Sequence, residues 1–238
     1  MIKKAKTLLF TKLSQKGFIP NHVAEVGVYH PETSNIIDYI NLGIRTMLVE
    51  PDPKSINLIT NYFLKYKNVK LFPFAIYDFN GELELVHREA STFVSSLPKS
   101  PALINDDYKI DKKDIFKVES KTFDKIDDGT IDLISIDIEG GEWFVLKHMK
   151  SKPTVISIET HGAVYINPFI KQINDWLKIN NYKILYKDKT DTVFVNQNIK
   201  INLKDNLNLF LVNIYLFYRR EKIKIEKFVK SIIKNINR

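Results

Sequence analysis

Short, largely apolar runs alternate with helix-type patterns over most of the chain. Val23–Gly27, Ile44–Val49 and Val69–Phe74 have strand length, and each is followed by polar or proline-marked positions. Thr33–Ile40 reads as helix between the first two, and Pro53 opens a helical stretch to about Lys65 after the second. Ile131–Ile138 is the most strand-like segment, and Gly140-Gly141 ends it before a helix running through Met149. Thr154–Ile158 repeats the pattern, with a helix from about Pro168 to Asn180. Alternation of this kind predicts a parallel sheet with helices on both faces.

Two stretches depart from the alternation. Leu83–Val86 follows the turn signal Asp78-Phe79-Asn80-Gly81 and predicts a small extra strand, whereas residues 87–118, with Pro98, Pro101 and a charged stretch to Lys117, read as one long loop. Near the end, Tyr182–Tyr186 and Thr192–Val195 lie five residues apart, a hairpin spacing that closes the parallel sheet with antiparallel strands. The predicted domain therefore covers 20–198, between a basic helix at 1–19 and a helical extension at 199–238.

Composition narrows the possibilities. The 238 residues are 44% hydrophobic, enough to fill a core, and contain no cysteine, which excludes disulfides, thiolate zinc sites and a cysteine nucleophile. The longest apolar run, Leu207–Tyr218, is too short to span a bilayer, and Leu8–Phe10 is too short for a signal peptide's apolar region. The expectation is a cytoplasmic protein. Its net charge of +8 is unevenly placed: residues 1–18 carry five Lys and no acid, and residues 219–238 carry eight Lys or Arg against two Glu. The centre, at −3, has no basic groove, so no nucleic-acid partner is expected.

Ligands of open α/β sheets bind beyond the carboxyl ends of the strands, so candidate chemistry is sought there. The first strand leads into Glu25-Val-Gly27-Val-Tyr29-His30-Pro31-Glu32-Thr33-Ser34. Gly27 lets a ligand approach the backbone, and Thr33 or Ser34 suits a helix cap. There is no G-x-G-x-x-G. The second strand ends in Glu50-Pro51, and Glu50 follows Gly27 by 23 residues, close to the offset at which an acid meets ribose hydroxyls. Ala75-Ile76-Tyr77-Asp78 offers an apolar wall and an acceptor for an adenine amino group. The densest signal is Asp137-Ile-Glu139-Gly140-Gly141-Glu142: three carboxylates in six residues call for a cation, a metal or a shared proton. Glu142 also suits a helix N-terminus. Glu159 and His161 follow the next strand, His161 as a candidate base.

The ordered set Glu25-Val-Gly27, Leu48-Val-Glu50-Pro, Phe74-Ala75 to Asp78 with Gly81, Thr122-Phe-Asp124, Asp137-Ile-Glu139-Gly140-Gly-Glu142 and Ile158-Glu159 resembles the FkbM family of S-adenosylmethionine (SAM)-dependent methyltransferases. The resemblance covers about residues 20–197. It implies a Rossmann-like class I methyltransferase fold: a mostly parallel seven-stranded α/β sheet with helices on both faces and a terminal antiparallel hairpin. It also implies O-methylation of a hydroxyl on a sugar, glycan, glycolipid or secondary metabolite, with SAM as cofactor. Carried over, Glu25 and Gly27 border the methionine moiety, Glu50 binds the ribose, and Ala75 with Asp78 borders the adenine. Tyr29, Thr33, Pro51, Ile76 and Asp137 complete the expected cofactor site. Val28–Glu32 departs from the small, Gly-containing loop usual at that point.

The expected chemistry makes Asp137 or His161 the base that accepts the acceptor's proton, with Glu139 or Glu159 orienting it. A divalent cation such as Mg²⁺, held by some of Asp137, Glu139 and Glu159, is the alternative, because oxygen-only ligands favour it over zinc. At the C-terminal end, Ile225, Phe228, Val229, Ile232, Ile233 and Ile236 share one helix face, and Lys224, Lys227, Lys230 and Lys234 lie off it. Such a helix packs on its own domain, pairs with a second subunit through 205–238, or lies on the inner face of a membrane. Two other classes stand beside the enzyme: a non-catalytic interaction module of the same fold, and an RNA-modifying methyltransferase.

Overall fold

The computed structural model describes residues 5–88, 91–97, 100–105, 108–162 and 164–236. In chain order the first elements are α1 (Leu8–Ser14), β1 (His22–Val26), α2 (Ile37–Asn41), β2 (Arg45–Val49), α3 (Pro53–Tyr62) and β3 (Val69–Phe72). A middle group follows: β4 (Ala75–Ile76), β5 (Gly81–Arg88), β6 (Ser91–Val94), α4 (Pro101–Asn105) and β7 (Ile115–Lys121). The chain ends with β8 (Leu133–Ile136), α5 (Glu142–Lys147), β9 (Val155–Glu159), α6 (Ile170–Ile179), β10 (Lys183–Lys187), β11 (Asp191–Val195) and α7 (Leu203–Ile236).

Seven strands form one sheet in the order β10-β11-β9-β8-β1-β2-β3. The five from β3 to β9 are parallel, and β11 runs antiparallel between β9 and β10. The expected Rossmann-like sheet with its closing hairpin is thus present. All five residues of both β1 and β9 are buried, as continuous apolar strands require when helices cover both faces. Alternate side chains feed two cores. Val23, Leu133 and Val155 pack with Leu13, Ile36 and Ile40 on one face; Ala24, Ile134 and Ile156 pack with Val145, Leu146 and Ile173 on the other. Strand order reverses between β1 and β8, which opens a crevice at their carboxyl ends.

Local sequence explains the helix starts. Asp52 accepts hydrogen bonds from the backbone N–H of Lys54 (2.7 Å) and Ser55 (3.3 Å), and Pro53 follows at the first helical position, so α3 starts where a capping acid and a proline place it. The helix expected over Thr33–Ile40 is shorter: Pro31–Thr33 is a single 3₁₀ turn and α2 begins at Ile37. Ser34 is not the cap of α2: its hydroxyl donates to Glu25 and accepts the N–H of Ile36 (3.3 Å), the residue before the helix.

The largest correction concerns residues 87–118. They are not one long loop but, with the segment before them, supply most of a second, four-stranded sheet in the order β4-β7-β5-β6. The predicted extra strand is its β5, longer at both ends and paired antiparallel with β6 and β7. Leu83, Leu85, Val94 and Leu97 form its own small core with Ala75. This sheet stands over the crevice.

Candidate active site

The cleft forms where the ends of β1, β2 and β8 meet the second sheet. Glu25, Gly27, Tyr29 and Thr33 line it from the first turn, Glu50 and Pro51 from the second, and Asp137 and Glu139 from the end of β8. Phe74, Ala75 and Ile76 make an apolar wall, faced by Leu85, Thr92, Phe93 and Val94. The cavity is about 210 Å³.

Gly27 is required by geometry. Its φ is +85°, and a Cβ there would lie 1.8 Å from the carbonyl oxygen of Asp137. The ladder is tight because the N–H of Gly27 bonds to Val49 O and that of Asp137 to Val26 O, each at 2.9 Å. Two non-glycine residues beside the cleft, Tyr29 (φ 53°) and Glu139 (φ 59°), also occupy the left-handed region. Strain of this kind persists where the surroundings dictate the backbone, and here it turns both chain segments at the cleft's edge.

The carboxylates are held differently from one another. Glu50 accepts three backbone N–H groups: Val28 (3.0 Å) and Tyr29 (2.8 Å) on one oxygen and Asp52 (2.9 Å) on the other. Glu50 thereby shapes the Val28–Tyr29 turn as well as lining the cleft. Burial still raises its pKa against those bonds. Glu25 accepts from the Ser34 hydroxyl and from the Asn35 N–H (2.8 Å), yet burial pushes it up to about 7. Asp137 is pushed up to about 7 by burial first and then by the neighbouring negative charges of Glu142, Asp188 and Glu50.

Behind Asp137 lies an acidic cluster. Asp137, Glu142 and Glu159 each present a carboxylate oxygen, and these oxygens lie within 4.8 Å of one another. Glu142 is fixed by the N–H groups of Ile138 (3.0 Å) and Gly140 (3.1 Å) and by the Asn167 amide. Glu159 is only 7% exposed, and no described residue donates a hydrogen bond to its Oε2. Burial, then repulsion from Asp137, raises it far above the usual carboxylate range.

Several expected residues stand elsewhere. Asp78 is not among the residues lining the cleft; Lys147 Nζ (2.6 and 2.9 Å) and His148 Nε2 (2.8 Å) hold it against α5, and those contacts lower its pKa. His161 is buried outside the cleft lining. Its Nδ1 meets Thr160 Oγ1 at 2.8 Å and its Nε2 meets the Asp188 carbonyl at 3.1 Å, leaving no free nitrogen to act as a base. Glu159 and Asp137 do group, but with Glu142 in place of Glu139. Thr92, Phe93 and Val94 are cleft wall that the sequence does not announce, because their segment has the composition of a loop. Asn35, which lines the cleft and donates to Ser135 Oγ at 3.2 Å, carried no sequence signal at all.

Residues 25–184 match the model of the methyltransferase FkbM domain, two thirds of the chain. The chain belongs to the FkbM methyltransferase family. A search of curated protein sequences gave no match. Among solved structures it is similar to precorrin-6y C5,15-methyltransferase of Geobacter metallireducens, at 14% identity over 79% of this chain and 85% of that one, with a TM-score of 0.41. Podospora anserina methyltransferase PaMTH1 with bound S-adenosylhomocysteine aligns at 14% identity over 79% and 76%, TM-score 0.40. Aeropyrum pernix fibrillarin with natively bound S-adenosyl-L-methionine aligns at 10% identity over 78% and 72%, TM-score 0.40. For this FkbM methyltransferase, its own strand order fixes the fold independently of those distant likenesses.

Proposed function

We propose that the protein is a SAM-dependent O-methyltransferase acting on a hydroxyl of a small molecule or glycan. The observation that carries the reading is the cleft at the strand-order reversal, with Glu25, Glu50 and Asp137 on its lining and an apolar wall beside them. SAM presents an ammonium, a sulfonium, a ribose diol and an adenine. Three carboxylates suit the two cations and the diol, and Phe74, Ala75, Ile76 and Phe93 suit the adenine ring, so the residues fit the cofactor. Glu50 would hold the diol; Glu25 and Asp137 would face the cationic groups. The cofactor supplies an electrophilic methyl group.

The chain's part is to align the acceptor oxygen and take its proton. Asp137 is suited to proton removal, since it lines the cleft and a carboxyl titrating near 7 is poised between holding and accepting a proton. Glu139 borders the same space and is placed to orient the acceptor hydroxyl. The second sheet would form part of the acceptor's surroundings, through Thr92 and Val94.

A divalent cation, Mg²⁺, is the second reading, in place of Asp137 as a free base. It rests on the unpartnered, buried Glu159 oxygen within the group formed with Asp137 and Glu142. Ligating carboxylates are commonly fixed by hydrogen bonds, and Glu142 is. Such an ion would neutralise three carboxylates that no lysine, arginine or histidine pairs with among the described residues.

Calorimetric titration with SAM and with S-adenosylhomocysteine tests the cofactor: micromolar binding of both is expected, and no heat together with no thermal stabilisation would end the reading. Titration with MgCl₂ alone tests the cation separately. Saturable binding that Glu159→Gln abolishes is expected, whereas no binding and full activity in chelator would remove the ion and leave the methyltransferase reading intact.

A further inference from the structure

At 34 residues, α7 is by far the longest described helix, about 51 Å at 1.5 Å per residue. One side packs on β10, with Leu209, Val212 and Leu216 half-buried there. Among the described residues, nothing covers the other side. Leu207, Leu211, Ile214, Tyr218, Ile225 and Ile232 fall on one line along it, each between 42% and 69% exposed. Phe210, Tyr215 and Phe217 widen the first half of that line into a broad apolar arc. Single exposed apolar residues are ordinary on a protein surface, but a broad apolar arc over 207–218, resumed at Ile225 and Ile232 past Glu221 and Lys222, is the mark of a contact site.

Two features of the helix identify the occupant. Residues 207–218 contain no charge, and residues 219–236 carry seven Lys or Arg against two Glu. A second copy would bring the same basic segment to the contact, so a parallel pair sets like charges side by side. The arc over 207–218 is also wider than the narrow seam along which two helices pair. An anionic bilayer meets both features: acyl chains take the apolar arc, with tyrosine at the interface, and lipid phosphates take the basic segment. No described helix is long and apolar enough to cross a membrane.

We infer that α7 is a membrane-surface helix that docks the protein on anionic phospholipid through the stripe from Leu207 to Ile232. The basic half of α7 reaches the second sheet's side of the domain, where Lys227 Nζ donates to Ile104 O at 3.4 Å. Arg220 acts electrostatically on Lys187 and His161, at the carboxyl end of the seven-stranded sheet. That is the end at which the cleft opens, so the basic half of α7 and the cleft share one end of the sheet.

Co-sedimentation of the full chain with vesicles of phosphatidylcholine, with and without phosphatidylglycerol, tests the inference. Partition onto the anionic vesicles should exceed that onto neutral ones at least ~tenfold and weaken in high salt. The double variant Phe210→Asp, Ile214→Asp should remain in the supernatant while binding SAM as the unmodified protein does, since neither residue lines the cleft. Lys222→Glu with Lys224→Glu should reduce anionic partition alone. Recovery of the unmodified chain in the supernatant with every vesicle would overturn the inference. So would a stable dimer in sedimentation velocity that Phe210→Asp dissociates and vesicles do not compete with.

Discussion

At the scale of single residues, the site rests on one glycine and a few carboxylates that the sequence marks clearly. Gly27 was legible because only glycine suits a ligand-facing turn after a strand, but the reason for it was not: the obstacle is the Asp137 backbone just past the end of the neighbouring β8. Gly27→Ala should therefore destabilise the protein by ~2–4 kcal/mol, through positive φ and a backbone clash together, and abolish SAM binding. Thermal unfolding and calorimetry would check both effects. Asp78 shows the opposite case. Its place after a strand made it an adenine candidate, yet contacts from α5 that no local pattern announces engage its carboxylate. Asp78→Ala should leave the SAM dissociation constant within about twofold and cost under ~1 kcal/mol, as for an exposed ion pair. A tenfold loss of affinity would return Asp78 to the cofactor site. Asp137→Asn should lower the methylation rate ~10²-fold or more. In the unmodified enzyme kcat/KM for SAM, which reports the free protein, should fall as pH drops through about 7, because the base is then protonated, and Asp137→Asn should flatten that limb.

At the scale of elements, legibility followed burial. The central strands β1, β8 and β9 are covered on both faces, so they appear as largely apolar runs that nothing else explains, whereas β3 at the sheet's edge is only half-buried. The strands of the second sheet are not covered in this way. β7 has one buried residue in seven, and Glu82, Glu84, Lys117 and Glu119 on the paired β5 and β7 give the stretch the composition of a loop. Its order comes from cross-strand pairing and a small core, neither of which is a local signal. The same difference sets a hierarchy of stability. Backbone amides of β1, β8 and β9 should exchange slowest, near the global unfolding limit. Those of β5, β6 and β7 should exchange faster and slow markedly when SAM occupies the cleft they cover. Exchange followed by mass spectrometry, with and without cofactor, reads this directly; equal protection in the two sheets would show that the second is as firmly held as the first.

For the whole molecule, the dominant feature is the gathering of carboxyl groups at one end of the sheet. Glu25, Asp137 and Asp191 are each pushed up to about 7, chiefly by burial, and burial also raises Glu50, Glu142 and Glu159. In the unfolded chain these groups titrate near about 4. Between about 4 and about 7 the folded protein therefore holds protons that the unfolded chain has released, and its stability declines as pH rises through that window. His22 and His161 act the other way, since burial favours their neutral forms, but they are two groups against six. The ligand-free protein should melt several degrees higher near about pH 6 than near about pH 8. Cationic ligands reverse the balance, because SAM or a divalent ion pairs with ionised carboxylates that are otherwise uncompensated, so the Tm gain on adding either should be larger at the higher pH. Differential scanning calorimetry across that range, with and without SAM and Mg²⁺, separates the outcomes. A Tm that rises with pH in the ligand-free protein would mean that the carboxylates are already neutralised within the fold, and the case for a cationic occupant of this cleft would go with it.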